Sequence, residues 1–163
     1  MEEKRKVTII LVILGVVMAL VVPALSEDKP ADNMEIVHEK IRADKKLFIA
    51  ENMQLTETEA KAFWPVYERY QDELFLLRAR LMKLINDYAE VYDNMTNDTA
   101  KRLLDELLTI DSLGPKLRQT YLPKFRDVLP DVKVVRYFQI ENKINAALVY
   151  ELAAKIPLIK NPK

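Results

Sequence analysis

A long apolar stripe in the middle of the chain constrains the fold more than any other feature. Between residues 67 and 95, apolar side chains recur three and four positions apart without a miss. This period of 3.5 residues, held over about four heptads, predicts one long helix that packs against a partner helix along its whole length. The stripe consists of Tyr67, Tyr70, Leu74, Leu77, Leu81, Leu84, Tyr88, Val91 and Met95.

A second apolar stripe follows after a short polar segment. Residues 94–98, Asn-Met-Thr-Asn-Asp, suit the end of one helix and the cap of the next. Because the connection is short, we expect the two helices to pair as an antiparallel hairpin. The second stripe consists of Leu103, Leu107, Ile110, Leu113, Leu117, Tyr121, Phe125 and Val128.

One further helix is predicted on each side of this hairpin. Apolar residues at helical spacing between positions 34 and 48 predict a first helix of about 18 residues, capped by Asp32 or Asn33. A last helix begins near Pro130 and ends at Pro157. The chain has 163 residues with only two Gly and no Cys, a balance typical of helices with short connections. The predicted fold is therefore all-α, with about four helices.

Three prolines interrupt the two predicted hairpin helices: Pro65, Pro115 and Pro123. Each removes one backbone hydrogen bond and clashes with the preceding turn, so each is predicted to bend its helix or to break it locally. The hairpin is therefore predicted to be bowed, with a concave face on which a partner can be held.

The first 26 residues are interpreted as a secretory signal peptide. A charged start precedes an apolar run from Val7 to Val22, which is followed by Pro23 and the small-residue pattern at 24–26. An uncleaved anchor is the alternative, because the run approaches the ~20 residues that span a bilayer. Either interpretation places residues 27–163, as a single all-α domain, in a bacterial periplasm or its equivalent. Contact with the membrane is expected only if the segment is uncleaved.

The composition offers little for catalysis or for nucleic-acid binding. The formal net charge is zero, without the basic excess of nucleic-acid-binding proteins. Ser112 is the only serine after residue 26, and nothing marks it as a nucleophile in a strained turn. One glycine remains after position 15, whereas loops that bind phosphate need several. The sequence therefore predicts a protein that is not an enzyme and uses no cofactor.

His38, the single histidine, lies three residues after Glu35. This Glu-x-x-His step directs both side chains to one helical face, as in di-iron helix bundles. Such a site needs two steps and two more carboxylates, whereas this chain supplies one step. The favoured interpretation is a surface histidine beside a glutamate, and Glu35 with His38 is only a weak candidate for a metal.

Several large apolar residues of the first hairpin helix lie off its main stripe. Either the flanking helices cover them or they are exposed, and an exposed apolar patch on a thin helical domain marks a partner surface or a dimer interface. These residues are Phe63, Trp64, Val66, Phe75, Leu76 and Met82.

The segment Leu55-Thr56-Glu57-Thr58-Glu59 opens the long helix and fits a capping box, in which Thr56 and Glu59 each accept from the other's backbone N–H. With the signal peptide, the hairpin and the closing helix, it resembles the Spy/CpxP family of small bacterial periplasmic proteins, named for a Leu-Thr-x-x-Gln motif. Glu59 stands where the family has Gln. The family's second copy of the motif opens the last helix, where this chain has a degenerate form at 129–133.

The resemblance implies a cradle-shaped homodimer of bowed hairpins. Members of the family hold unfolding envelope proteins without ATP, or dock on the periplasmic domain of an envelope-stress sensor kinase. In the chaperone branch, a basic concave face with apolar patches contacts the client. The matching candidates in this sequence are Arg69, Phe75, Leu76, Arg78, Arg80 and Lys83.

A structural module is the alternative function. The long apolar run at the N-terminus and the unbroken heptads also suit a membrane-tethered helical spacer or an oligomerisation module. Finding residues 27–163 free in a periplasmic extract, without residues 1–26, would remove the tethered form.

Overall fold

A computed structural model describes residues 30–159, with side-chain detail from residue 39 onward. Four α-helices follow one another: α1 (Pro30–Met53), α2 (Glu57–Val91), α3 (Asn97–Arg126) and α4 (Asp131–Lys155). A 3-10 turn, Tyr92–Asn94, joins α2 to α3, and no strand occurs between residues 30 and 159. The predicted all-α fold of about four helices is confirmed.

Helix α1 is longer than the spacing predicted. It begins at Pro30 and has 24 residues, so the predicted cap at Asp32 or Asn33 is wrong. Gln54, directly after α1, has φ 48°, the left-handed conformation that commonly ends a helix.

The start of α2 is the predicted capping box. The Thr56 hydroxyl accepts from the Glu59 backbone N–H at 3.3 Å, and the Thr56 backbone N–H donates to Glu59 Oε2 at 2.8 Å. Both bonds satisfy N–H groups that have no acceptor inside the helix. The start of α3 is capped by a single bond, in which the Thr96 hydroxyl accepts from the Thr99 backbone N–H.

Helices α2 and α3 form the predicted antiparallel hairpin. As residue numbers rise along α2, their partners on α3 fall, as three kinds of contact show. Phe63 lies beside Phe125 with ring centroids 5.8 Å apart, Arg80 pairs with Glu106, and Leu84 packs with Leu103. The buried positions of the hairpin come largely from the two predicted stripes, with Leu107 the clearest departure. Its core residues include Tyr67, Tyr70, Leu84, Leu103, Ile110, Tyr121 and Phe125.

Both hairpin helices continue through their prolines. Helix α2 contains Pro65, and α3 contains Pro115 and Pro123, without a break in either. The alternative that a proline breaks its helix is therefore wrong. The long hairpin contact compensates for the lost backbone bonds, because most helix stability in proteins comes from packing. The bow of the hairpin stays a prediction.

The described residues divide into two compact units. The hairpin unit comprises residues 56–134 and 156–159, and the terminal-helix unit comprises residues 30–55 and 135–155. Inside the terminal-helix unit, Lys45 of α1 and Glu141 of α4 form a buried ion pair at 2.8 Å. The Tyr137 hydroxyl donates to the same carboxylate at 3.3 Å. A buried charge is tolerated only when it is paired in this way.

No helix within residues 30–159 is both long and apolar enough to cross a membrane. The segment interpreted as a signal peptide or anchor lies outside the described residues.

Candidate binding surface

The six client-binding candidates predicted on α2 lie on two different sides of that helix. Arg69, Leu76, Arg80 and Lys83 are spaced seven, four and three residues apart, which places them along one side. Phe75 and Arg78 lie roughly a quarter to half a turn away from that line. Leu76 is 67 % exposed and Phe75 is 43 % exposed. The Arg78 Nε is buried, without a hydrogen-bond partner in the described part of the chain. The sequence had placed all six in one candidate surface, and the structure does not bring them together.

The cations on the first of these sides are paired with carboxylates. The Arg80 guanidinium donates from two nitrogens to the two oxygens of Glu106, at 2.5 and 2.8 Å. Lys83 donates to both oxygens of Asp87 at 2.8 Å. The hydrogen bond from Arg80 holds the pKa of Glu106 below its usual range. These two cations are thus held inside the hairpin unit by its own acidic side chains.

A groove of about 700 Å³ runs along this side between α2 and α3. Its lining carries charged side chains of both signs. Four cations and four anions contribute, so the groove has no net preference for an acidic or a basic ligand. The charged residues are Arg80, Lys83, Asp87, Asp98, Lys101, Arg102, Asp105 and Glu106.

A leucine patch lies on α3 instead, outside the buried strip of that helix. We define the leucine patch as Leu104, Leu107 and Leu108, which are 55 %, 37 % and 59 % exposed. Their immediate neighbours Leu103 and Ile110 are buried on the α2 side. Residues three and four apart on a helix are neighbours, so the three side chains form one continuous apolar surface.

Sequence reasoning missed the leucine patch. The periodicity predicts Leu107 in the buried stripe and says nothing of Leu104 and Leu108. The signal was present in the doublets Leu103-Leu104 and Leu107-Leu108. Two adjacent leucines point about 100° apart around a helix, so a single partner helix cannot cover both.

The other apolar residues that lie off the main stripe of α2 differ in how far they are buried. Phe63 and Val66 are buried, whereas Trp64 and Met82 are half-buried. Phe63 contacts Phe125 of α3 and Tyr67 of its own helix, with ring centroids 5.8 and 5.7 Å apart. These four residues therefore belong mainly to the core, and only Phe75 and Leu76 of the group are exposed.

The motif residues at the start of α2 make a further contact that the sequence did not predict. The Lys133 ammonium, in the first turn of α4, donates to Glu59, which also closes the capping box. This bond, with the one from the Thr56 backbone, holds the pKa of Glu59 below its usual range. Leu55 is half-buried just before the box. The contact joins the two segments in which the sequence resembles the repeated family motif.

Two tyrosines near the end of α2 hold the segment that follows α4. The Tyr88 hydroxyl donates to the backbone carbonyl of Pro157 at 2.8 Å, and the Tyr92 hydroxyl donates to that of Leu158 at 3.0 Å. Burial raises the pKa of Tyr88, and the neighbouring Tyr92 adds to the effect. The Tyr88 hydroxyl therefore stays protonated, as a donor, at neutral pH.

The described residues include Ser112 and many acidic side chains. The Ser112 hydroxyl donates to the backbone carbonyl of Thr109 at 2.8 Å, an ordinary contact within a helix. Among the residues with side-chain detail, no cluster of acidic or histidine ligands could hold a metal ion. The side chains of Glu35 and His38 lie outside that part, and their pairing stays a prediction.

Comparison with known proteins assigns no family to the chain. No family model matches it, and neither a curated protein nor a solved structure shows significant similarity to it.

Proposed function

We propose that the protein is a non-enzymatic binding protein of the bacterial cell envelope, which holds apolar segments of unfolding proteins without ATP. The observation that carries the proposal is the leucine patch on α3. An apolar surface of this kind, kept in water by a folded helical hairpin, is typical of a site for another protein.

The chemistry of the leucine patch suits weak and unselective holding. Burying one leucine completely gives about 1.5–3 kcal/mol, and the three side chains of the patch are already partly covered. The patch therefore supplies a few kcal/mol, enough for a reversible contact with an apolar segment. Such a contact requires apolar side chains in the client but no particular sequence.

The proposed location in the cell envelope is based on the sequence. The interpretation of residues 1–26 as an export signal and the resemblance to the Spy/CpxP family both favour the periplasm. The second role found in that family, docking on the periplasmic domain of a sensor kinase, would use a specific partner instead of many clients. It is the outcome we expect if holding is absent but a defined envelope protein is bound.

An aggregation assay tests the proposal. A chemically unfolded test protein is diluted into buffer without ATP, with and without the purified protein in the form that cells accumulate. Light scattering should rise more slowly at near-equal molar ratio. Leu104→Ser with Leu108→Ser should remove most of this delay, because it removes the two most exposed side chains of the patch.

The matched control is Leu76→Ser, which removes a somewhat more exposed leucine from α2. We expect this variant to delay aggregation as the unchanged protein does. If the double variant on α3 retained the full delay, or if the unchanged protein gave none, the proposal would be wrong.

The membrane-tethered structural module remains the alternative, on the strength of the long hairpin contact. Cell fractionation separates the two. The protein should appear in the periplasmic extract without residues 1–26, whereas a tether predicts an intact N-terminus in the membrane fraction.

A further inference from the structure

We propose that Tyr88 and Tyr92 form a docking site for an extended, proline-containing apolar segment of another protein, and that the segment after α4 (residues 156–159) occupies this site as an internal competitor. The inference rests on how the two tyrosines hold that segment. It does not depend on the leucine patch or on the holding of unfolding proteins.

The two tyrosines are held in place by the hairpin. They lie four positions apart, and their ring centroids are 5.7 Å apart in an edge-to-face arrangement. Tyr88 also packs against the buried cluster of Leu84, Leu103 and Ile110. A fixed aromatic pair loses little conformational freedom when it binds a ligand, which is one reason why tyrosine is frequent at protein-binding sites.

The hydrogen bonds between the tyrosines and the segment after α4 involve only the backbone of the segment. The Tyr88 hydroxyl donates to the carbonyl of Pro157 at 2.8 Å, and the Tyr92 hydroxyl donates to the carbonyl of Leu158 at 3.0 Å. The side chains of the segment are exposed: Leu158 is 91 % exposed and Ile159 is 44 % exposed. These bonds therefore recognise two successive carbonyls and require no particular side chain.

This kind of contact defines the chemistry of the ligand. A peptide in a helix or a sheet already uses its carbonyls, whereas an extended peptide outside regular structure leaves them open. Proline favours the second state, because it fixes φ and has no N–H to offer to a helix or a ladder. Aromatic surfaces that bind proline-rich segments use the same combination. The ligand that fits is therefore an apolar stretch with a proline, of which Ile-Pro-Leu-Ile at 156–159 is the internal example.

The segment after α4 is held weakly enough to be displaced. Its two hydrogen bonds are exposed, and a net hydrogen bond changes an equilibrium by roughly a factor of two to ten. A ligand tethered in the same chain has an effective concentration on the order of 1 mM. A free peptide of the same chemistry should therefore bind the unchanged protein only near millimolar concentration, and more tightly when the internal segment is loosened.

Fluorescence anisotropy of a labelled peptide tests the proposal. The peptide has the sequence of residues 155–160, Lys-Ile-Pro-Leu-Ile-Lys, with blocked ends. It is titrated with the purified protein in the form that cells accumulate and with the variant Pro157→Gly plus Leu158→Gly, which we call the loosened variant. The two glycines raise the entropic cost of seating the segment. The loosened variant should therefore bind the peptide at least about fivefold more tightly than the unchanged protein does.

Removing the two hydroxyls tests whether the peptide binds at the tyrosines. Tyr88→Phe with Tyr92→Phe, added to the loosened variant, should weaken peptide binding by about tenfold, because each phenylalanine keeps the ring and loses the donor. Tyr150→Phe in the same background is the control, because Tyr150 is an exposed tyrosine of α4, and it should leave the affinity unchanged.

A second peptide, with glycine in place of its proline and leucine, gives a measurement that does not depend on how a protein variant folds. It should bind the loosened variant at least about fivefold more weakly than the first peptide, because more conformational freedom is lost on binding.

Three results would overturn the proposal. These are no saturable binding of the first peptide to the loosened variant below about 1 mM, equal affinity of the loosened and unchanged proteins, and an affinity that survives the loss of both hydroxyls. Since no measurement uses an unfolded protein or alters the leucine patch, failure of this docking site and failure of the holding function remain distinguishable.

Discussion

At the scale of single residues, Thr56 and Glu59 link local structure to longer-range contact. The sequence predicted both hydrogen bonds of the capping box, because the box depends only on residues three positions apart. The ion pair between Glu59 and Lys133 joins residues that are 74 positions apart. No local pattern could predict it, since it depends on how the start of α4 returns to the start of α2.

Removing the cap should weaken the fold by a predictable amount. Thr56→Ala leaves the Glu59 backbone N–H without its acceptor, which costs about 1 kcal/mol at a typical N-cap. Chemical denaturation should show this loss in the free energy of unfolding. Thr58→Ala, an exposed change two residues later that removes no cap, is the control. Equal losses in the two variants would contradict the role of the box.

Glu59 should also make stability depend on pH on the acid side. Its pKa is lowered in the folded protein, chiefly by the hydrogen bond from Lys133. The carboxylate therefore contributes stability above about pH 4.3, the ordinary pKa of a glutamate, and this stability is lost as pH falls through the lower folded value. Glu59→Gln should reduce the loss of stability between about pH 5 and pH 3.

Thermal unfolding measured across that pH range checks the prediction. Glu57→Gln is the matched control, because Glu57 lies in the same first turn, is exposed and has no ion pair within the described side chains. If Glu59→Gln lost as much stability between about pH 5 and pH 3 as the unchanged protein does, the ion pair with Lys133 would not be stabilising the folded state.

At the scale of helices, the apolar periodicity predicted the hairpin correctly. It was wrong for Leu107, which belongs to the exposed leucine patch of α3. The 3.5-residue stripes identified which sides of α2 and α3 meet, and Leu84, Leu103 and Ile110 are buried there as expected. Leu107 was assigned to the same stripe but is exposed, because it lies at the edge of the strip that one partner helix can cover. Helix ends were less predictable, since Asp32 and Asn33, predicted as caps, lie inside α1.

The segment after α4, which contains Pro157 and Leu158, is not helical, so apolar periodicity predicts nothing about it. Its contacts with α2 can be tested. Tyr88→Phe with Tyr92→Phe removes the two hydroxyls that bond the carbonyls of Pro157 and Leu158. We expect the segment to detach more often, so that limited proteolysis between residues 155 and 160 becomes several-fold faster. Global stability should change little, because both bonds are exposed.

Tyr150→Phe is the control for this pair, because Tyr150 is an exposed tyrosine of α4 without a described contact. Proteolysis of this variant should match that of the unchanged protein. An equal rate of cleavage in the double variant and in the control would show that the two hydroxyls do not hold the segment.

At the scale of the whole molecule, positive and negative charges are balanced. Lys and Arg balance Asp and Glu over the full sequence, and the same balance recurs inside the groove between α2 and α3. The sequence predicted a basic client-binding surface from Arg80 and Lys83, but it could not show that Glu106 and Asp87 pair with them. The leucine patch is recognisable only from the exposure of Leu104, Leu107 and Leu108 on the folded helix α3.

The most direct test of the account is a comparison of where an unfolded protein touches the chain. Single cysteines at Leu108→Cys and Leu76→Cys, labelled with the same photo-crosslinker, report on two leucine positions of similar exposure in a chain without native cysteine. The account predicts adducts with a chemically unfolded test protein predominantly at position 108. Equal labelling at the two positions, or preference for position 76, would contradict the assignment of client holding to α3.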